Sequence, residues 1–339
     1  MRSRITVLIG VLISVAFLFY ALRDVSAREL LRYLGEADPW LLIAATVVAT
    51  LTFHLRAIRW RTLLRTSAGS LPFGSRYAAV CIGFMANNLL PSRLGEFARA
   101  YSLSRIEPVP LSSALASLVV ERLLDGVVLM VLLVPAFFLG GVDQAAPGTL
   151  RDLFTVAVIL VSLSLVTFGL LVRFPGRFLS LAAKWLHRLG PDRVADSVTG
   201  ILAAFVDGLG ALRHAHVFAR AMLWSFAVWG WNALSFYLGF LAFDIHGPGF
   251  EGALVLQTTI GFAVAIPSTP GFFGPFETAA RVALELHQIE PARIISFAAG
   301  YHILTFIPIT VLGIWYMRRL GISRKEFGRG KVAPPEVSE

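Results

Sequence analysis

Glu121, Arg122 and Asp125 stand inside an apolar stretch that runs from Leu111 to Leu139. At helical spacing Glu121 and Asp125 share a face, and Arg122 lies within i,i+3 reach of Asp125. A helix starting at Leu111 carries Glu121 about 15 Å along its axis, near the middle of a hydrocarbon core about 30 Å thick. Each intramembrane charge costs roughly 2.5–3.5 kcal/mol on insertion scales. Three together imply mutual pairing, a wet cavity, or both. The residues then serve either as a structural ion-pair staple or as a polar track for a charged headgroup.

A second set of charges follows Asn87-Asn88-Leu89-Leu90-Pro91-Ser92-Arg93-Leu94-Gly95-Glu96. Proline removes a helical donor and glycine permits unusual dihedrals, so Pro91 and Gly95 mark a helix break. Arg93 sits on that break, and Glu96 and Arg99 follow on one helical face. Arginine suits bidentate phosphate recognition and helix N-termini favour anions, so these residues form the best phosphate candidate; the alternative is a snorkelling cytoplasmic cluster. A matching break reads Pro267-Ser268-Thr269-Pro270-Gly271-Phe272-Phe273-Gly274-Pro275. Glu277 after it is expected to cap or charge the next helix. Tyr301 and His302 sit early in the last apolar span, where a lone histidine is packing or a relay. Arg56 and Arg59 with Trp60 read as an interfacial belt. Cys81, the single cysteine, excludes an internal disulfide and a cysteine-based metal cluster.

These residues need elements to hold them. The chain has 339 residues, 56% hydrophobic and 15% charged, against about 25% charged in a soluble domain. Continuous apolar blocks, not strand-like alternation, point to an all-α integral membrane protein. The clearest blocks are Ile5–Leu22, Trp40–Phe53, Leu153–Val172, Val217–Phe243 and Ile294–Met317. Ile5–Leu22 is too long for the apolar core of a signal peptide and reads as a retained first helix, despite a weak cleavage-like Val25-Ser26-Ala27. The net charge of +9 collects at block ends, as positive-inside flanks do, so nucleic acid is not the expected partner.

Counting arginines gives the topology. The stretch with Arg56, Arg59, Arg61, Arg65 and Arg76, the segment Val172–Arg220 and the tail from Arg318 are basic and placed inside; Phe243–Glu251 carries no basic residue and is placed outside. Parity then holds only if Tyr77–Leu90 and Gly252–Ile266 enter from opposite faces and turn back at the two breaks. The expected fold has about six full spans and two oppositely oriented re-entrant hairpins, eight apolar segments in all. They form an inverted repeat (about 5–140 and 153–317) within one domain, 1–320, followed by a basic tail, 321–339. Both termini are cytoplasmic. Such broken-helix repeats place substrate sites at their interface. Two amphipathic stretches, with faces Phe178/Leu181/Ala182/Trp185 and Val194/Val198/Ile201/Leu202/Phe205/Leu209/Leu212, read as interfacial helices or as packing on the cytoplasmic face.

The two broken segments and Glu121-Arg122-Leu123-Leu124-Asp125 together resemble three ordered signatures of the lysylphosphatidylglycerol synthase transmembrane region, also called the flippase-like domain family. The resemblance covers about residues 5–320. It implies an inner-membrane protein that translocates a phosphate-headgroup lipid or lipid-linked precursor, its partners being membrane lipids such as anionic phospholipid or polyprenyl-phosphate-linked species. The soluble aminoacyl-transfer domain of the larger family members has no counterpart here, so lysyl transfer is not expected. Phe272-Phe273 replaces the family's glycine and small apolar residue, which implies a bulkier second hairpin. The expected substrate-binding set is Arg93, Glu96, Arg99, Glu121, Arg122, Asp125, Glu277 and His302, with helix breaks at Pro91, Gly95, Pro267, Pro270, Gly271 and Gly274. No P-loop, zinc spacing or Ser/His/Asp set occurs, so no cofactor, metal or ATP hydrolysis is expected and the chain is not expected to be an enzyme. Two other functions are weighed: an intramembrane enzyme using Glu121, Asp125 or His302 as acid or base, and a scaffold for a lipid-linked glycosyltransferase. Homo-oligomerisation is compatible with all three.

Overall fold

A computed structural model describes residues 2–64, 71–90, 94–139, scattered positions from 155 to 173, and residues 174–189, 191–208, 214–264 and 269–323. Among the described residues the chain is helical, with no strand. The helices are α1 (Arg2–Leu22), α2 (Ala27–Glu36), α3 (Pro39–Leu64), α4 (Phe73–Leu89), α5 (Gly95–Ile106) and α6 (Leu111–Leu139), then α7 (Pro175–Leu189), α8 (Asp192–Gly208), α9 (Ala215–Ala242), α10 (Gly249–Ala263), α11 (Pro275–Glu285) and α12 (Pro291–Arg319). The described positions between 155 and 173 are helical as well.

Local chemistry sets several of these boundaries. Ser26 and Glu29 make a capping box at α2, with Ser26 Oγ accepting from the Glu29 amide at 3.2 Å. Asp38 accepts from the amides of Trp40 and Leu41 at the start of α3. α3 and α12 are long and apolar enough to cross a membrane by length and composition. α6 has the length but carries Glu121, Arg122 and Asp125.

The outer surface is apolar in stripes. Trp40, Ile43, Val47 and Leu51 run down α3, and Ile303, Ile307, Val311 and Trp315 run down α12, all exposed. The described residues Val156, Ile159, Leu163, Val166 and Leu170 form a third stripe. Spacing of three or four residues puts each stripe on one helix face. Exposed apolar area on this scale needs a nonaqueous neighbour, while Arg56 and Arg59 of α3 and Glu121 and Asp125 of α6 are buried.

α4 and α5 fold back on each other as a hairpin. Ser75 hydrogen-bonds Glu107, Gly83 packs on Arg99, and the Asn87 side chain accepts from the Gly95 amide at 2.8 Å. All three pairs centre on position 91, which fixes an antiparallel register. Glycine is required at both contacts: a Cβ at Gly95 would lie 2.4 Å from the Gly83 carbonyl oxygen, and one at Gly83 2.7 Å from the Arg99 Cβ. α10 and α11 pack together likewise, joined across a turn at Pro270–Phe272.

The helix lengths recur. α3, α4, α5 and α6 have 26, 17, 12 and 29 residues; α9, α10, α11 and α12 have 28, 15, 11 and 29. α3 and α9 run antiparallel at the centre: Ser235 donates to the Ala45 carbonyl, Trp231 to Val48, and Arg59 to Ser225. Contacts come in matched pairs, α3 with α4 as α9 with α10, α5 with α6 as α11 with α12, and α12 with α4 as α6 with α10.

α1 packs on α11, where Ser14 Oγ accepts from the Thr269 amide at 2.9 Å, and α2 packs on α12. α7 turns Phe178 and Leu179 to the core and leaves Leu181 and Trp185 exposed. In α8 the inward residues include Ala195 and Val206, and Val194 is exposed, so the packed face is rotated from the expected one.

Candidate functional site

Six charged side chains from α3, α5 and α6 meet in one buried network. Arg99 clamps Glu121 with two bonds, Nη1–Oε1 at 2.7 Å and Nη2–Oε2 at 3.0 Å. Arg59 reaches Glu121 at 3.2 Å and hydrogen-bonds Asp125. Arg122 lies 2.6 Å from Glu121 and 3.4 Å from Asp125, and Arg56 Nη1 lies 3.8 Å from Asp125. From α9, Trp229 Nε1 donates to Asp125 at 2.9 Å and Ser225 Oγ accepts from Arg59 at 3.1 Å. Arg99 also lies over the Trp60 ring, 4.0 Å from its centre, and Trp60 Nε1 donates to Ser117 at 2.8 Å.

The spacing of α6 explains the join. Glu121 and Asp125 stand one turn apart on the face turned to α3, and Arg56 and Arg59 stand one turn apart on the face turned back. Four guanidiniums surround two carboxylates, an excess of two positive charges, and Glu96 on the cavity wall offsets one. Buried ion pairs are tolerated when every charge is compensated and hydrogen-bonded; here compensation is incomplete on the anionic side.

The network borders a cavity of about 480 Å³ between the two hairpins. Arg56, Glu96, Arg99, Arg122 and Asp125 form its charged wall. Asn87 and Asn88 of α4, Asn232 of α9, and Gln257 and Thr258 of α10 supply neutral polar groups, and Phe84, Phe236, Phe262 and Phe272 supply rings. The Arg122 side chain is 42% exposed whereas those of Arg59 and Glu121 are fully buried, so Arg122 is the cation open to an occupant. Three lining side chains hold buried polar atoms with no hydrogen-bond partner: Arg56 Nη1, Arg99 Nε and Gln257 Nε2. All three are donors. Donors left unmet in a wall signal an acceptor-rich occupant.

Of the expected site residues, Glu96, Arg99, Arg122 and Asp125 line this cavity and Glu121 lies directly behind it. Arg93, with Pro91 and Pro267, falls outside the described residues. Glu277 and His302 are absent from its wall and pair with each other instead, at 2.8 Å. Glu277 also accepts from the Gly274 amide at 2.6 Å, as an N3 carboxylate does. Gly271 and Gly274 have φ of 78° and 98°, the backbone that glycine was expected to permit.

The interfacial-belt reading of Arg56, Arg59 and Trp60 is overturned. All three are buried, Arg59 and Trp60 completely. Positive-inside counting treated them as flank because they stand near the end of an apolar block. The available signal was their i,i+3 spacing, which matches the i,i+4 carboxylates of α6. Arg76 is likewise buried, donating to the Ala57 carbonyl at 2.6 Å. Gln257 and Asn232, joined at 3.1 Å, gave no signal at all among apolar neighbours.

Helices with lipid-facing stripes around a charged central cavity define a polytopic helical membrane protein with a polar site in its interior. The chain belongs to the family described as the lysylphosphatidylglycerol synthase TM region, whose pattern matches residues 7–313. It is 28% identical to "Glycosyltransferase AglD" of Haloferax volcanii over 94% of its length, which spans 55% of that protein. It is 25% identical to a "UPF0104 membrane protein" of Methanothermobacter thermautotrophicus (96% of this chain, 97% of that one) and 24% identical to UPF0104 membrane protein PH1989 of Pyrococcus horikoshii (92% and 96%). No solved structure matches the chain.

Proposed function

We propose that this protein moves a phosphate-headgroup lipid, or a lipid-linked precursor, between the leaflets of the inner membrane through the cavity between its two hairpins. The observation that carries the reading is the cavity wall: excess guanidinium charge, an exposed Arg122 and orphaned donors. Phosphate oxygens are the acceptors such donors suit. The matched helix lengths and the antiparallel α3/α9 pair support an inverted repeat with six full spans and two re-entrant hairpins. In that arrangement each leaflet has an entrance to one site. Both termini then face the cytoplasm, with the tail after Arg319 supplying positive charge. A reporter fused after Glu339 and active only in the periplasm overturns this orientation.

The membrane lipids are the partners, and the reading includes no catalytic step. A second reading, an enzyme acting on a lipid-linked substrate with Glu121, Asp125 or His302 as acid or base, gains from the comparisons only the name of AglD. It fits the site less well. Glu121 and Asp125 are held among several arginines, which makes them charge scaffolding and not proton donors.

The test is quenching of fluorescent lipids by dithionite in proteoliposomes without nucleotide, across several headgroups. Anionic headgroups should cross faster than in empty vesicles. Arg122→Ala should slow them about tenfold or more, the equivalent of one charge-assisted hydrogen bond of roughly 1.5–3 kcal/mol. If no headgroup moves faster than in empty vesicles, the transport reading fails and the enzyme reading replaces it.

A further inference from the structure

The cavity between the two hairpins has two walls of different chemistry. Its charged lining residues, Arg56, Glu96, Arg99, Arg122 and Asp125, all come from α3, α5 and α6. Among the described residues its lining on α9 and α10 carries no charge, and the free polar groups there belong to Asn232, Gln257 and Thr258. Asn232 stands on α9 three residues after Trp229 and four before Phe236, steps that put all three on one helix face. Gln257 stands on α10, which packs on α9. Its Oε1 accepts from Asn232 Nδ2 at 3.1 Å, which fixes the Gln257 carboxamide at its oxygen end. The other end, Nε2, has no hydrogen-bond partner, although Gln257 is only 2% exposed.

Buried donors of this kind are almost always met, so the contact that Nε2 lacks belongs to an occupant. Other neutral groups of the lining already use their protons. Thr258 donates its hydroxyl to the Leu254 carbonyl at 2.9 Å, and on α4 Asn88 Nδ2 donates to Thr310 at 2.8 Å. Each keeps an oxygen able to accept. The uncharged lining thus pairs an unmet donor with acceptors. An ammonium group is a donor only; it cannot satisfy Gln257 Nε2, and it would enter a space where guanidiniums outnumber carboxylates. A hydroxyl donates and accepts at one atom, so it meets both kinds of group. The cavity of about 480 Å³ has the size of a small-molecule site and holds more than a phosphate. Phe84, Phe236 and Phe262 supply apolar surface for carbon-bound hydrogens.

We propose that Gln257 and Asn232, with Thr258 and Asn88, form a subsite for an uncharged, hydroxyl-bearing group attached to the phosphate. The protein thereby distinguishes glycerol-phosphate or sugar-phosphate lipids from amine-bearing ones. The phosphate lies against Arg122, and the hydroxyls beside it lie against the Gln257 carboxamide. The inference rests on the transport reading for the phosphate and adds what the phosphate carries. A site built to hydrogen-bond a hydroxyl rejects the analogue that lacks it, because the site's own buried groups are then left unpaired. Two lipids present this chemistry: one with a glycerol headgroup, and one with a hexose on polyprenyl phosphate.

Lipid binding to the full-length protein in detergent, quantified by native mass spectrometry, tests the subsite without any lipid movement. Phosphatidylglycerol is compared with phosphatidylmethanol, and polyprenyl-phosphate hexose with polyprenyl methyl phosphate. The members of each pair share charge and tail and differ in hydroxyls. In at least one pair the native protein should prefer the hydroxyl-bearing member about tenfold or more, and that pair identifies the source. Phosphatidylethanolamine should bind more weakly than phosphatidylglycerol. Gln257→Leu keeps the bulk and removes the carboxamide, so the preference should fall below about twofold. Arg122→Ala should weaken both members of a pair together and keep the preference. Equal binding within both pairs in the native protein overturns the subsite and leaves the phosphate site standing. An unchanged preference in Gln257→Leu also overturns it, or in Gln257→Met if the first variant does not fold. If no anionic lipid binds more tightly than phosphatidylethanolamine, the transport reading falls together with the subsite.

Discussion

The corner where α5 meets α6 and the corner where α11 meets α12 occupy equivalent places in the two helix series, yet they are filled with different chemistry. In the first, Arg99 of the short helix clamps Glu121 of the long one, with Arg56, Arg59 and Arg122 around them. In the second, Glu277 of the short helix bonds His302 of the long one, and Phe236, Phe276, Phe297 and Tyr301 fill the surroundings. One frame of helices thus accommodates either charge or rings. The difference displaces the cavity's polarity toward the first corner.

Substitutions can break this contrast or sharpen it, and heat-driven unfolding reports them conveniently. Cys81 is the single cysteine and is buried, so a thiol-reactive dye registers unfolding in detergent. Glu121→Gln should have the largest effect, because it leaves three guanidiniums around a neutral amide. Breaking a buried pair of this kind costs about 3–5 kcal/mol, and much of the protein should fail to purify as a single species. Equal stability in Glu121→Gln and native protein would show that the network is solvated, not a staple.

Next in size is the backbone contact of the first hairpin. Gly95→Ala pushes a methyl group to within 2.4 Å of the Gly83 carbonyl oxygen, an overpacking that costs about 1–3 kcal/mol. Gly261→Ala, on α10 at the cavity, meets Leu129 at 3.7 Å and should be neutral within about 0.5 kcal/mol. Comparable losses at the two positions would mean that the hairpins are packed alike. Trp229→Phe keeps a ring near Arg56 but removes the donor to Asp125, which should cost about 0.5–1.5 kcal/mol. Its unfolding temperature should fall between those of Gly95→Ala and native protein.

The smallest effect belongs at the surface, where Asp244 pairs with Arg293 at 2.9 Å. That guanidinium, through its hydrogen bond first, holds the Asp244 carboxyl below its ordinary range. A lowered folded-state value means the pair supports folding above the unfolded value and loses that support as pH falls through the lowered one. Asp244→Asn keeps a residue suited to the local φ of 57° and drops only the charge. Its unfolding temperature should match that of native protein at neutral pH and high salt, since exposed pairs are screened.

The sequence by itself determined the class of this protein and much of its frame. Apolar blocks longer than about 18 residues have few ways to satisfy their backbone except as helices, and α6 begins and ends where its block does. Pro-Ser-x-x-Gly placed the two breaks, because proline cannot donate and glycine tolerates positive φ. The charges of α6 announced a buried polar site, since their cost in lipid is not otherwise met. Tertiary structure alone decided who answers them. The i,i+3 spacing of Arg56 and Arg59 says only that they share a helix face; the antiparallel packing of α3 against α9, with α6 alongside, turns that face inward. Glu277 and His302 stand 25 positions apart in apolar sequence; only the fold of α11 onto α12 makes them a pair and keeps them from the cavity. Helix formation follows from local composition, but the partner of a buried charge is set by which helix faces meet, and no local window of residues encodes that.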